Sequence, residues 1–308
     1  MLGETISLIV AVSWTVTALF AEVASKRLGA MQFNVIRMTM ALVMFALLLF
    51  CLTGKPFPQH CDGETWLWLI LSGVVGYVLG DYCLFNSYVL IGSRFGQLLM
   101  TLAPPSAAVF GFILLGERMS WHALAGMAIT ISGIAVSLYR RREAKDGARL
   151  PGKGILFGIG AGVCQGIGLV LSAKGLRQYG MVMGEQYGSD TWVFVFVALA
   201  ATYIRTIAGF AGFTLWAAAR NELRSCFKAS RDVRGMCCAF GATFTGPFFG
   251  VTLSLLATQY TSTGIAQTIM SLTPILILLP SMIIFKQRIG IRDVIGAVIS
   301  VWGVTFFF

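Results

Sequence analysis

Few residues in this 308-residue chain are equipped for chemistry, and most of those stand inside apolar runs. Glu22 and Lys26 are four apart on one such run and share a helix face with Trp14, two turns earlier. Glu22 there serves either as a proton or substrate-ammonium site walled by Trp14, or as half of a neutralised pair whose Lys26 snorkels to the interface. Asp81 is followed by Tyr82 and Asn86, with Arg94 just beyond a short turn. Alone in low dielectric Asp81 would keep its proton near neutral pH and suit proton coupling; paired with Arg94, the favoured alternative, it would stay ionised as a fixed gate. Gln97, Thr101 and Pro104 fall on one helix face, and Gln267, Ser271 and Pro274 repeat the same spacing. Polar groups so placed bond a ligand or a neighbouring helix, and each proline frees a carbonyl, so these residues are expected to wall a central cavity, with interhelical glue as the alternative. Gln165 is expected opposite the first helix, and Lys174 matches Lys26. Arg37 and Arg205 also match each other, but near helix ends, where headgroup anchoring or capping is expected. Two histidines, His60 and His122, and seven cysteines without a CxxC pair leave no metal site, disulfide framework or cofactor to propose.

The elements that must position these residues follow from composition. The chain is 57% hydrophobic and 12% charged, against about 25% charged in soluble proteins. It cannot cover itself with polar surface, which excludes a soluble enzyme, a nucleic-acid-binding domain and a large extramembrane module. At roughly 20 residues per crossing, ten helices would use about 200 positions. Ten apolar runs are found, near 5–26, 33–53, 66–90, 94–116, 121–139, 153–175, 198–219, 235–257, 262–285 and 291–308. The breaks carry Gly, Pro or charge, as in GKPFPQHCDGE at 54–64 and RRREAKDGARLPGK at 140–153. The apolar link 176–201 is expected to be an extended or interfacial lead-in to the seventh helix. The N-terminus has no basic residue before its apolar run, so a retained span is expected there in place of a cleaved signal peptide.

An internal repeat organises the runs. An offset of 170 pairs Gln97 with Gln267, Pro104 with Pro274, Gly126 with Gly296 and Gly133 with Gly303, and nine of the 37 positions from 97 to 133 agree. The same offset pairs Gly76 with Gly246 and Gly80 with Gly250; it becomes 168 in VIRMTMA and YIRTIAG and 148 at Lys26 and Lys174. The division is a first five-helix repeat at 1–139, a basic linker at 140–152 and a second repeat at 153–308. Five spans per half is odd, so the halves are expected to be inverted, a plan recurrent in secondary transporters. Gly154, Gly158, Gly162 and Gly166, spaced by four, form a bare stripe for close packing, and with Gly76, Gly80, Gly246 and Gly250 they are candidate sliding surfaces.

Two five-helix halves, Lys26 closing helix 1, Arg37 opening helix 2, Pro104 in helix 4 and then LLGERMSWHALAGMAITISGIAV resemble the EamA-type transporters of the drug/metabolite transporter superfamily. The second half departs from that string, with Phe285-Lys286-Gln287-Arg288 in its place. The resemblance implies a carrier or exporter of a small metabolite such as an amino acid, nucleobase or sugar; a membrane-embedded enzyme is not expected, because two histidines leave little from which to build a nucleophile–base pair or a metal site. The resulting expectation is a secondary active exporter working by alternating access, in the inner membrane. An uncoupled facilitator or exchanger is the alternative, and a non-transporting scaffold the next. Its partners would be a small-molecule substrate and membrane lipids, with no nucleic acid; a proton or counter-substrate for coupling and a second copy in a homodimer remain open.

Charge speaks to orientation. On the side holding the N-terminus lie Lys55, Arg118, Lys174, Arg177 and Arg205; the other 18 of the 23 basic residues lie opposite. By the positive-inside rule the termini lie outside and the 140–153 linker in the cytoplasm. The resemblance implies cytoplasmic termini instead, and the charge bias is the stronger constraint.

Overall fold

The computed structural model describes residues 2–115, 121–139, 150–187, 191–261, 266, 269–286 and 290–307. Among the described residues every regular element is helical, the form in which an apolar segment satisfies its own backbone in a bilayer. In chain order the principal helices are α1 (Leu2–Leu28), α2 (Ala30–Thr53), α3 (Gly63–Ile91), α4 (Ser93–Leu114), α5 (Trp121–Tyr139), α6 (Gly152–Tyr187), α7 (Thr191–Ala219), α8 (Val233–Tyr260), α9 (Thr273–Phe285) and α10 (Ile291–Val304). A short helix, Leu223–Ala229, joins α7 to α8. Seven helices, α1 to α4 and α6 to α8, are long and apolar enough to cross a membrane. Large apolar side chains such as Leu47, Ile113, Leu215 and Ile283 point outward, while alanines, glycines and serines fill the contacts between helices. The chain is an all-helical integral membrane protein.

The turns are short. Gly92 alone separates α3 from α4, at φ 83°, a backbone region that strains any residue with a Cβ. Asp62 and Asp232 cap α3 and α8, accepting from the amides of Thr65 (3.0 Å) and Gly235 (3.2 Å).

The link 176–201 departs from expectation. It is helical on both sides of 188–190, because α6 runs on to Tyr187 and α7 begins at Thr191. The apolar string that looked like a lead-in is a packed helix surface, with Val193, Phe196 and Val197 buried against Leu49, Leu69 and Tyr179. Helix α7 is the most buried of the long helices, which is why it reads as apolar all round. With 36 residues, α6 is about 54 Å long at 1.5 Å per residue, well beyond a hydrocarbon core of about 30 Å. Its far end clasps the 54–64 loop: Gln178 donates to Asp62 (2.8 Å), Tyr179 to the Gln59 carbonyl (2.8 Å), and the Tyr187 hydroxyl meets His60 Nε2 (3.0 Å).

Two pairs of helices carry matching irregularities. Gly73–Asp81 in α3 and Phe244–Val251 in α8 both widen to π geometry, the latter around Pro247, which has no N–H to donate. Helix α4 breaks at Thr101 and Leu102, ahead of Pro104, with amides bonded back to Leu98 and Leu99; Leu272, ahead of Pro274, bonds back to Ile269 in the same way.

Helices α5 and α10 pack antiparallel through glycines. A Cβ on Gly133 would lie 2.7 Å from the Gly296 carbonyl, and one on Gly303 would lie 2.9 Å from that of Gly126. Between them Thr130 donates to the Ser300 carbonyl (3.4 Å) and Ser300 to that of Thr130 (3.3 Å). Gly126 and Gly296, Gly133 and Gly303, and Thr130 and Ser300 are mates under the sequence offset, so exchanging the two helices maps this contact onto itself. The glycine stripe of α6 serves a different seam: Gly154 meets Ile91, Gly158 and Gly162 meet Leu99, and Gly166 meets Ala103 and Ser106.

Candidate functional site

A cavity of about 190 Å³ lies among α1, α2, α3, α4, α6, α7, α8 and the 270–274 segment. Its apolar walls include Trp14, Phe85, Met100 and Leu255, and its ionisable acid and bases are Asp81, Arg37 and Arg205. All three are buried, at 3%, 5% and 6% exposed. The Arg37 guanidinium pairs with Asp81 Oδ2 and lies 4.8 Å from the Phe85 ring centre. Gln165 donates to the other carboxylate oxygen (3.0 Å) and to the Gly76 carbonyl (3.1 Å). Arg205 lies over the Tyr77 ring at 4.8 Å and passes the bare Cα of Gly76, where an added Cβ would be 3.3 Å from its Nη2. Gln97 donates to the Tyr88 hydroxyl at 2.6 Å.

The local sequence explains this placement. Gly73 lets the α7 backbone approach α3, since a Cβ there would meet the Arg205 carbonyl at 2.6 Å. Gly80 makes room for Gln165, and Gly250 for Trp14. The break in α4 turns Gln97, Thr101 and Pro104 toward the cavity, where Ser271 and Pro274 also lie. The Thr101 hydroxyl is already spent on the Leu98 carbonyl (2.7 Å).

Of the residues singled out in the sequence, Trp14, Asp81, Gln97, Thr101, Gln165 and Ser271 are thus brought together, with Gly76, Gly80, Gly246 and Gly250 behind or beside them. Gln267 lies outside the described residues. Glu22, Lys26, Asn86, Arg94 and Lys174 do not line the cavity. Glu22 is fully buried and ties α1 to the start of α4, accepting from Lys26 Nζ (2.5 Å) and from the Ser93 amide (2.6 Å). Asn86 donates to the Tyr82 carbonyl one turn back (2.7 Å), and Lys174 sits 3.8 Å over the Trp68 ring.

Two expectations about the arginines fail. Asp81 pairs with Arg37, not Arg94, because Asp81 faces α2 while Arg94 turns toward Asp293 at 3.4 Å. Arg37 and Arg205 are not headgroup anchors: α7 begins at Thr191, so Arg205 lies about four turns inside it. The signal that could have found them was the VIRMTMA and YIRTIAG match, an arginine placed twice at equivalent depth. Tyr77 and Tyr88 had no such signal.

Away from the cavity, pairs of opposite charge join the first part of the chain to the second. Arg27 makes a bidentate pair with Asp232 (2.7 and 2.9 Å), and Arg94 meets Asp293; both lie at the end of the bundle where α5 finishes and α6 begins.

The family pattern of EamA-like transporters matches residues 1–139 and 152–308. A protein of Haemophilus influenzae named as an uncharacterized transporter is 24% identical over 162 residues, and the chain spans about half of that relative, 52% of each being covered. A solved structure described only as the crystal structure of a protein is similar at TM-score 0.59 and 15% identity, covering 99% of this chain and 95% of that one; at that identity the likeness is one of fold. With nearly its whole length matched, the chain belongs to the EamA-like transporter family.

Proposed function

We propose that this protein is a ten-span secondary carrier that exports a small organic metabolite by alternating access. It is built from two inverted five-helix halves, 1–139 and 153–308, joined by the basic 140–152 segment. The observation that carries the reading is the cavity, where ionised side chains from α2, α3 and α7 meet deep among apolar helices of both halves. Charges at that depth cost several kcal/mol and are retained where a solute or ion must be met. The family and the name of the Haemophilus relative point the same way.

The inversion is supported by α5 and α10. A two-fold axis that exchanges antiparallel helices runs across them, hence along the membrane plane, and turns one half upside down relative to the other. The π segments ending at Asp81 and Val251 and the breaks before Pro104 and Pro274 keep the same register. The pairs Arg27–Asp232 and Arg94–Asp293 are the contacts that rocking would break and reform at one end. That end is assigned to the cytoplasm, since moving Arg37 and Arg205 out of the loops leaves the charge bias standing. Asp81 and Glu22 each already hold a cation, which favours fixed charges, and an uncoupled exchanger, over proton uptake at either residue.

The test is counterflow. Proteoliposomes preloaded with an unlabelled metabolite extract should take up labelled solute in a saturable way; leak no faster than in empty liposomes would overturn transport. A cysteine introduced at Arg231 in a cysteine-free background should label from the cytoplasmic face, and labelling from outside would reverse the orientation.

A further inference from the structure

The three ionised groups of the cavity do not balance. Asp81 is spoken for on both oxygens, by Arg37 and by Gln165. Arg205 is left with a ring face, that of Tyr77, and no carboxylate, and its Nε has no hydrogen-bond partner among the described residues. It is 6% exposed and lines the cavity. Asp81 is near enough to act on it through space, but its oxygens are taken by Arg37 and Gln165, so Arg205 makes no direct ion pair; a guanidinium held out of water in this way is costly, and a ring face replaces only part of what it loses.

The repeat sharpens the point. In the register that pairs Gly76 with Gly246 and Gly80 with Gly250, the mate of Asp81 is Val251. Arg37 therefore has its acid one helix away in its own half, whereas the position that would serve Arg205 is apolar, and Val251 itself lines the cavity. One half neutralises its arginine internally and the other leaves it bare toward the empty space.

From this geometry we infer that Arg205 receives the carboxylate of the transported solute, so that the cargo is a small organic monoanion with a flat apolar body. The proposal rests on the transport reading above and names its substrate class. A planar guanidinium matches a carboxylate with two parallel bonds. One unit of surplus positive charge suits a monoanion, and a phosphate dianion would overfill it. Of the other walls, Trp14, Phe85, Tyr88, Met100 and Leu255 suit an apolar or aromatic body, while Thr17, Gln97 and Ser254 leave room for a polar substituent on it.

The test uses the full chain in nanodiscs and four probes of similar body: benzoate, phenyl phosphate, benzamide and benzylammonium. Equilibrium dialysis should give saturable binding of benzoate, weaker binding of phenyl phosphate and none of the other two. Arg205→Gln should weaken benzoate at least tenfold, and Arg205→Lys should retain most of it. Val251→Asp, which supplies the missing acid, should abolish it; the last two variants carry the test if the first does not fold. Benzylammonium bound in preference, phenyl phosphate bound more tightly, benzoate unaffected by Arg205→Gln, or no saturable benzoate binding at 10 mM would each overturn the inference. Benzoate binding that depends on Arg205 without counterflow of benzoate would sink the transport reading and leave the anion site. Counterflow of benzamide or benzylammonium indifferent to Arg205 would do the reverse.

Discussion

Asp81→Asn is the change that separates a buried charge balance from an ordinary polar cluster. The Arg37 and Asp81 side chains are 4% and 7% exposed, so water screens their attraction little. Asparagine keeps an oxygen for Gln165 but removes the acid that faces two guanidiniums, each with an unbonded Nε. Opposite charges about 4 Å apart attract by about 4 kcal/mol at an effective dielectric near 20, and losing one partner of a buried pair costs about 3–5 kcal/mol. Arg37→Gln is the milder change, because Asp81 then keeps Gln165 and the nearby Arg205 and the cavity becomes neutral; about 1–2 kcal/mol is expected. Equilibrium unfolding of both single variants and the double variant in bicelles yields the comparison and the coupling between the two positions. Arg37→Gln costing as much as Asp81→Asn, or a coupling below about 0.5 kcal/mol, would refute the charge balance.

Other outcomes follow from the same contacts. Glu22→Gln should loosen the α1–α4 junction by about 1–3 kcal/mol in bicelle unfolding, since it removes a charged acceptor from the Ser93 amide. The pH dependence of flux should survive both Glu22→Gln and Asp81→Asn; a profile flattened by either would show proton coupling through it. Gly133→Val should reduce folded yield in size-exclusion profiles by forcing α5 from α10, where the added Cβ would stand 2.5 Å from the Ser300 amide nitrogen; overpacking of this kind costs about 1–3 kcal/mol. Arg27→Glu should raise accessibility to thiol reagents at the end of the bundle that holds this pair, and adding Asp232→Arg should restore it. Hydrogen bonding from Arg27 and Gly235 holds the Asp232 carboxyl below its ordinary value of 3.8. Its contribution is therefore complete above 3.8 and lost only as pH falls through the lowered value, so accessibility should be flat between pH 5 and 8.

Much of this arrangement is written in local chemistry. Helix ends follow Gly29, Gly54, Gly92, Asp62 and Asp232, and the offset of 170 finds the mates that meet at Thr130 and Ser300. Gln97, Thr101 and Ser271 face the cavity with Pro104 and Pro274, as their spacing on one helical face anticipates. What stayed hidden depends on neighbours. An arginine a few turns from a break looks like an anchor until the start of its helix is known, and α7 starts earlier than hydropathy suggested because its first turns pack against α6 and α2. Choosing Arg37 over Arg94 for Asp81 required knowing which side of α3 faces α2, and the π turns of α3 shift that facing in a way ideal periodicity does not carry.

The length of the overlong α6 would turn a small tilt into a large displacement. Gln165 sits at the cavity and Tyr187 at the far tip, 22 residues on and hence about 33 Å away along a rigid rod. A tilt of about 10° that barely changes the cavity sweeps the tip through about 6 Å. The tip is fastened to the 54–64 loop of the other half through Asp62, Gln59 and His60, so the sweep either drags that loop or snaps the fastening. Under the alternating-access reading proposed above the helix would act as a lever with its fulcrum near the cavity, and a pair of probes on Tyr187 and Lys55 would read its stroke.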